Sequence, residues 1–128
     1  MKKIIVTSGQ PFTDIDALAC AIAYTELLNI EGKKANTVLP GPLNKSVTNE
    51  IKSWKLNFIK NPSDLANKYV LVDISESKFF ADFVELNNVI EVFDHRSGFE
   101  EYWKAALGKN AHIELVGSCA TLIWEEFK

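Results

Sequence analysis

The chain has 128 residues, 14 Lys+Arg against 17 Asp+Glu, a formal net charge of -3 at pH 7, 47% hydrophobic and 24% charged residues. That length suits one domain, able to bury roughly two-thirds of its unfolded surface without a disulfide or structural metal. The mild acidity argues against a nucleic-acid binder, which needs Lys and Arg clustered on one face, and no apolar run reaches the roughly 20 residues of a membrane-spanning helix.

Residues 2–7 read as a buried first strand rather than a secretion signal, because the apolar run stops at Thr7-Ser8-Gly9. Residues 14–29 read as a helix: Ala17, Leu18, Ala21, Ile22, Tyr24, Thr25 and Leu28 recur near the 3.6 period, and Gly32 stops it. A second strand over 34–39 ends at Pro40-Gly41-Pro42. A helix over 45–54, a short strand at 57–59 and a turn at Asn61-Pro62-Ser63 follow. The continuous apolar run Tyr69-Val70-Leu71-Val72, within a strand over 68–73, suits a parallel strand covered on both faces. Then come a helix over 78–86, a strand over 89–93, a helix over 99–107, a strand over 111–115 and a helix over 118–127. Strands alternating with helices define an α/β fold of three layers, a mostly parallel central sheet with helices on both faces. Cys20 and Cys119 each stand alone in helical patterns, the usage of two buried free thiols in a reducing cytoplasm, where we expect the protein to reside. His112 stands apart from other chemistry-bearing residues and reads as structural.

In an open parallel sheet, ligands bind beyond the carboxyl ends of the strands. The first strand leads to Ser8-Gly9-Gln10, then Asp14 and Asp16. The strand over 68–73 ends in Asp73, the strand over 89–93 runs into Asp94-His95-Arg96, and the last strand leads to Gly117-Ser118 at a helix start. Taken singly, Asp14 is a helix N-cap, Asp16 a first-turn acid, Asp73 a turn residue and His95 a solvated loop histidine. Together they place four aspartates, a histidine and an arginine on one edge, where like charges repel unless a cation lies among them. Three carboxylates and an imidazole suit manganese, magnesium or zinc.

These residues resemble the motifs of the DHH phosphoesterase superfamily, closest to manganese-dependent family II inorganic pyrophosphatases and exopolyphosphatases. The first motif stands as Gly9-Gln10-Pro11-Phe12-Thr13-Asp14-Ile15-Asp16-Ala17-Leu18, followed by Cys20-Ala21-Ile22-Ala23-Tyr24. The second is Val72-Asp73, the namesake Asp-His-His is Asp94-His95-Arg96, and the fourth is Gly117-Ser118-Cys119-Ala120-Thr121-Leu122-Ile123. Gly41-Pro42-Leu43-Asn44 resembles the segment between the first two motifs. The resemblance implies a Rossmann-like DHH domain over residues 1–128, without the family's C-terminal domain that closes over the cleft. It also implies hydrolysis of phosphoanhydride or phosphodiester bonds, in pyrophosphate, polyphosphate or a nucleotide, at a two-metal centre. By the same resemblance Asp14 ligates the first metal, Asp16 and His95 the second, and Asp73 bridges both. Arg96, in place of the second family histidine, and the backbone of Gly117 and Ser118 meet phosphate. The ion implied is Mn2+, with Mg2+, Zn2+ or Co2+ as substitutes.

Two departures stand out. Gln10 occupies the position of a family histidine that ligates the first metal, and an amide is a weaker ligand, so weak ion binding is expected. A further metal-binding aspartate of the family, beyond the Gly-Ser helix, has no counterpart up to Lys128. These departures leave a second reading open, a non-catalytic phosphate- or nucleotide-binding module of the same fold. A two-component receiver domain shares the acidic pair and the aspartate after a middle strand. It needs a lysine ending its last strand, where this chain has Glu114-Leu115-Val116. An edge strand able to support a homodimer is the other partner expectation.

Overall fold

The structure, a computed structural model, describes residues 3–62 and 67–128; Lys2 of the first strand and Ser63 of the turn lie outside them. Five strands, β1 (Ile4–Thr7), β2 (Ala35–Val38), β3 (Lys68–Val72), β4 (Val89–Asp94) and β5 (Ala111–Ile113), form one sheet in the order β2-β1-β3-β4-β5. Every neighbouring pair is parallel. The order reverses between β1 and β3, and at such a switch point the loops leaving adjacent strands diverge and open a crevice.

Helices cover both faces. α1 (Ile15–Ile30) and α4 (Cys119–Glu126) pack on one face through Leu18, Ala21, Tyr24, Leu28, Cys119, Leu122 and Ile123, against Val6, Val70, Val72 and Phe93. α3 (Glu100–Leu107) covers the other through Trp103, with Phe80, Phe83 and Val84, against Ile5, Tyr69, Leu71 and Val92. Tyr69-Val70-Leu71-Val72 is wholly buried and splits alternately between the two cores, as a parallel strand covered on both faces must. The α/β sandwich read from the sequence is the fold. Cys20 and Cys119 are buried free thiols with no disulfide, and a hydrogen bond with Cys119, together with burial, pushes the Cys20 thiol up and away from reactivity.

Three local expectations differ. The helix expected over 45–54 shrinks to α2 (Asn49–Lys52). Asn44 Oδ1 accepts from Ser46 N at 3.0 Å and Ser46 Oγ at 2.6 Å, and Ser46 Oγ in turn accepts from Ile15 N at 2.8 Å. These bonds hold 44–46 in a turn, and helix starts only after Thr48, whose hydroxyl accepts from Ile51 N. The strand at 57–59 is a single parallel bridge between Val38 and Ile59. The helix expected over 78–86 is two 3-10 turns, Ser77–Phe79 and Leu86–Asn88, with irregular chain between. There the Phe79 carbonyl accepts from Gln10 N at 2.8 Å, so a tertiary bond takes an acceptor that a helix would use.

The polar residues of the sheet interior are paired. Glu91 in β4 accepts from the Tyr24 hydroxyl and lies 2.9 Å from His112 Nε2, whose ring stacks on Phe93 at 4.3 Å. A carboxylate among apolar strands needs such partners, and His112 serves there as a packing and pairing residue.

One loop braces another at the switch point. Thr13 donates through Oγ1 to Gly41 O at 2.8 Å and through N to Pro42 O at 2.9 Å, and Asn44 N donates to Thr13 O at 2.9 Å. A Cβ on Gly41 would lie 2.9 Å from the Phe12 carbonyl carbon, so the clamp closes only over a glycine. Gly41→Ala is therefore expected to lower stability by about 1–3 kcal/mol through overpacking, read as a fall in thermal midpoint by calorimetry, with Gly32→Ser, where a Cβ meets open space, as a control for backbone strain alone.

Candidate functional site

Every carboxylate of the site is placed by the end of a strand or the start of a helix. Asp14 caps α1, its Oδ1 accepting from Ala17 N at 2.8 Å. Asp16, one half-turn on, reaches across to α4: Oδ2 accepts from Cys119 N at 2.8 Å and Oδ1 from Ala120 N at 2.9 Å. Ser118 makes no side-chain cap of its own, so Asp16 satisfies the first amides of a helix more than a hundred residues away and sits at its positive end.

Asp73 follows β3 with φ 58°, the left-handed region, which aspartate tolerates better than most residues. The turn lets its N–H donate to Phe93 O at 2.8 Å while its carboxyl turns into the site, 3% exposed. His95 Nε2 lies 3.1 Å from Asp73 Oδ1 and 3.7 Å from Asp16 Oδ2. One ligand atom each from Asp16, Asp73 and His95 lie within 4.8 Å of one another. Two oxygens and one imidazole nitrogen so gathered fit a divalent ion by the chemistry of the donor set. Another group of this kind, Glu91, His112 and Glu126, lies away from the strand ends and includes the pairing already described.

Asp94, buried to 1%, organises the residues beside it. Its carboxylate accepts from Ser75 Oγ at 2.6 Å, His95 N at 2.9 Å and Arg96 Nη1 at 2.9 Å. Arg96 Nη1 also donates to Asp73 O at 2.8 Å and to Asp73 Oδ1 at 3.2 Å. Ser75 is fixed in turn: its carbonyl accepts from Trp103 Nε1 at 2.8 Å. The supporting roles of Asp94 and Ser75 were missed by sequence reasoning. Asp94 was visible as part of the Asp94-His95-Arg96 run, but nothing in its type says that it faces inward.

A cleft of about 270 Å³ opens over this edge, with Gln10, Asp14, Asp73, Asp94 and Arg96 in its polar wall and Phe12, Phe79 and Phe99 in its apolar one. Gln10 and Asp14 thus share a wall with Asp73, while Asp16 and His95 meet Asp73 in the ligand group. Gly117 is exposed and Ser118 half-buried, and neither lines the cleft. The amides at that helix start that do engage a carboxylate are those of Cys119 and Ala120.

Burial pushes the Asp73 carboxyl up to about 8; Arg96 pulls the other way, and the neighbouring Asp14 and Asp16 charges add to the rise. Without a divalent cation among them, these carboxylates favour a proton on Asp73.

The arrangement is that of a parallel α/β protein with a group of carboxylates and an imidazole at its switch point. No protein-family model matches the chain. It is similar over its whole length to a protein of Bacillus mycoides (strain KBAB4) described as a probable manganese-dependent inorganic pyrophosphatase, 29% identical over 137 aligned positions. It is similarly 28% identical to a protein of the same description from Bacillus cereus. The chain spans 41% of the length of each. An exopolyphosphatase-related protein from Bacteroides fragilis shares the fold, with TM-score 0.70 over 97% of this chain and 38% of that one, at 16% identity. The resemblance read from four motifs thus holds along the full chain. No helix of the described residues is long and apolar enough to cross a membrane.

The raised Asp73 carboxyl has a measurable consequence. Its folded pKa lies above the unfolded value, so its contribution to stability is present in acid and lost as pH rises through about 8. The metal-free protein should therefore lose thermal stability over that rise, and Asp73→Asn should flatten the profile. Manganese binding near neutral pH should release a proton, seen by calorimetry as a heat that depends on the buffer's ionisation enthalpy.

Proposed function

We propose that this chain forms the metal-binding wall of a site that hydrolyses phosphoanhydride or phosphodiester bonds, with pyrophosphate, polyphosphate or a nucleotide as substrate. The observation that carries the reading is the convergence of ligand atoms of Asp16, Asp73 and His95 within 4.8 Å, in a chain similar throughout to a protein described as a probable manganese-dependent inorganic pyrophosphatase. Manganese is the ion suggested by those relatives' description. A divalent ion held there supplies positive charge that neutralises phosphate oxygens and acidifies water for attack on phosphorus.

The chain's own residues supply the rest. Asp16 is held rigid by the α4 amides and Asp73 by its left-handed turn, so the ligand oxygens need no reorganisation on binding. Asp94 fixes the His95 backbone and the Arg96 guanidinium together. Arg96 lines the cleft and its side chain is half exposed, which suits a planar donor for phosphate oxygens. Asp14, beside Asp73 in the cleft, is the remaining acidic ligand in this reading, and Gly117 and Ser118, at the start of α4, serve in it as an outer phosphate contact. Phe12 and Phe79 give the cleft an apolar lining beside these polar groups.

A second reading, a phosphate- or nucleotide-binding module without turnover, is favoured by one observation: Gln10 offers a neutral amide in the cleft where the resemblance implies an imidazole.

Phosphate release from pyrophosphate, polyphosphate and nucleotide substrates, measured with and without manganese, separates the two. Hydrolysis predicts manganese-dependent release that His95→Ala lowers by at least about tenfold; binding of the same ligands without any release favours the second reading. Asp73→Ala should weaken manganese binding more than either Asp14→Ala or Asp16→Ala, and Gln10→His should strengthen it, both checked by calorimetric titration.

A further inference from the structure

We propose that Arg96 stands in for one of two cations: the centre takes a single divalent ion at Asp16, Asp73 and His95, and the Arg96 guanidinium supplies the second positive charge. The inference rests on the metal-dependent reading above and gives that centre a stoichiometry.

The guanidinium sits where a small cation would. Nη1 is surrounded by three oxygens, the Asp73 carbonyl at 2.8 Å, Asp94 Oδ1 at 2.9 Å and Asp73 Oδ1 at 3.2 Å. Two of these belong to carboxylates that are 3% and 1% exposed. Charges so buried are tolerated only when paired, and Arg96 is the cationic side chain paired with both. Asp94 has little else to give. Ser75 Oγ and His95 N already donate to it at 2.6 Å and 2.9 Å, so an ion drawn to it from the cleft would compete with that set. The guanidinium is thus held by a residue whose remaining bonds lock it in place.

The ligands left for another ion are poor. Gln10, which lines the same cleft as Asp14 and Asp73, contributes only an amide. Asp14 does not join the group of ligand atoms formed by Asp16, Asp73 and His95. An ion between Asp14 and Asp73 would have to share Asp73 with a fixed guanidinium, whose like charge opposes it. Arginine cannot shed its proton to make room, because it stays charged at every working pH. Gln10 and Arg96 therefore fit each other: one offers an ion only a neutral amide, and the other already brings a positive charge.

The test is a titration of the full chain with manganese chloride, by calorimetry for stoichiometry and by electron paramagnetic resonance for the state of the bound ion. Wild type and Arg96→Lys should bind one ion per chain, with the spectrum of an isolated Mn(II). Arg96→Gln should bind two, with the broadened spectrum of a coupled pair. Two ions in the wild type, or one in a folded Arg96→Gln protein, overturns the inference and leaves the metal-dependent reading standing. No ion in any of the three overturns that reading itself. Should Arg96→Gln fail to fold, the wild-type stoichiometry still decides.

Discussion

The structure is organised around a buried carboxyl that cannot be left alone. Asp73 ends the most buried strand of the sheet, turns inward through a left-handed backbone, and meets Arg96, His95 and the charges of Asp14 and Asp16. Taking charge out of water is costly, and neighbouring carboxylates raise that cost. The surrounding residues answer it in three ways. Arg96 brings a permanent positive charge, α4 brings the partial charge of its first amides to Asp16, and burial keeps a proton on Asp73 when no divalent ion is present. A divalent ion replaces the proton with a stronger and more directional partner. That exchange links the fold to the chemistry proposed for it.

The switch point explains why these groups meet. Asp14 and Asp16 leave β1, Asp73 leaves the neighbouring β3, and Asp94, His95 and Arg96 leave β4, so three adjacent parallel strands deliver their polar ends to one side. The loops that carry them are braced from outside. Residues 41–44 clamp Thr13 just before Asp14, the Phe79 carbonyl holds Gln10, and Trp103 holds Ser75. Asp16 joins the first helix of the chain to its last, so the N-terminal motif and the Gly117-Ser118 segment are parts of one hydrogen-bonded unit.

Much of this was legible in the sequence, for physical reasons. The alternation of apolar strands with amphipathic helices points to a parallel sheet, and the rule that ligands lie beyond its strand ends gathers Asp14, Asp16, Asp73, Asp94, His95, Arg96 and the Gly117-Ser118 helix start on one edge. What stayed hidden depends on pairing between distant segments. The helix expected over 78–86 has helical spacing, but it lost a carbonyl to Gln10, and no local pattern records that bond. The turn at 44–46 is an Asn–Ser side-chain bond that competes with helix. Arg96 reads in the sequence as a residue facing phosphate. Its second role, held against Asp73 and Asp94, follows only from the depth of those two carboxylates. The Gly117-Ser118 helix start looks like an anion site by type, yet the anion nearest to it in the fold is the chain's own Asp16, at the amides one and two residues further on.

The most direct test of the account is the anomalous scattering of manganese in crystals of the full chain grown with that ion. The account predicts an anomalous peak coordinated together by Asp16, Asp73 and His95, with the Arg96 guanidinium still between Asp73 and Asp94. Crystals saturated with manganese that show no peak among those three side chains would contradict it.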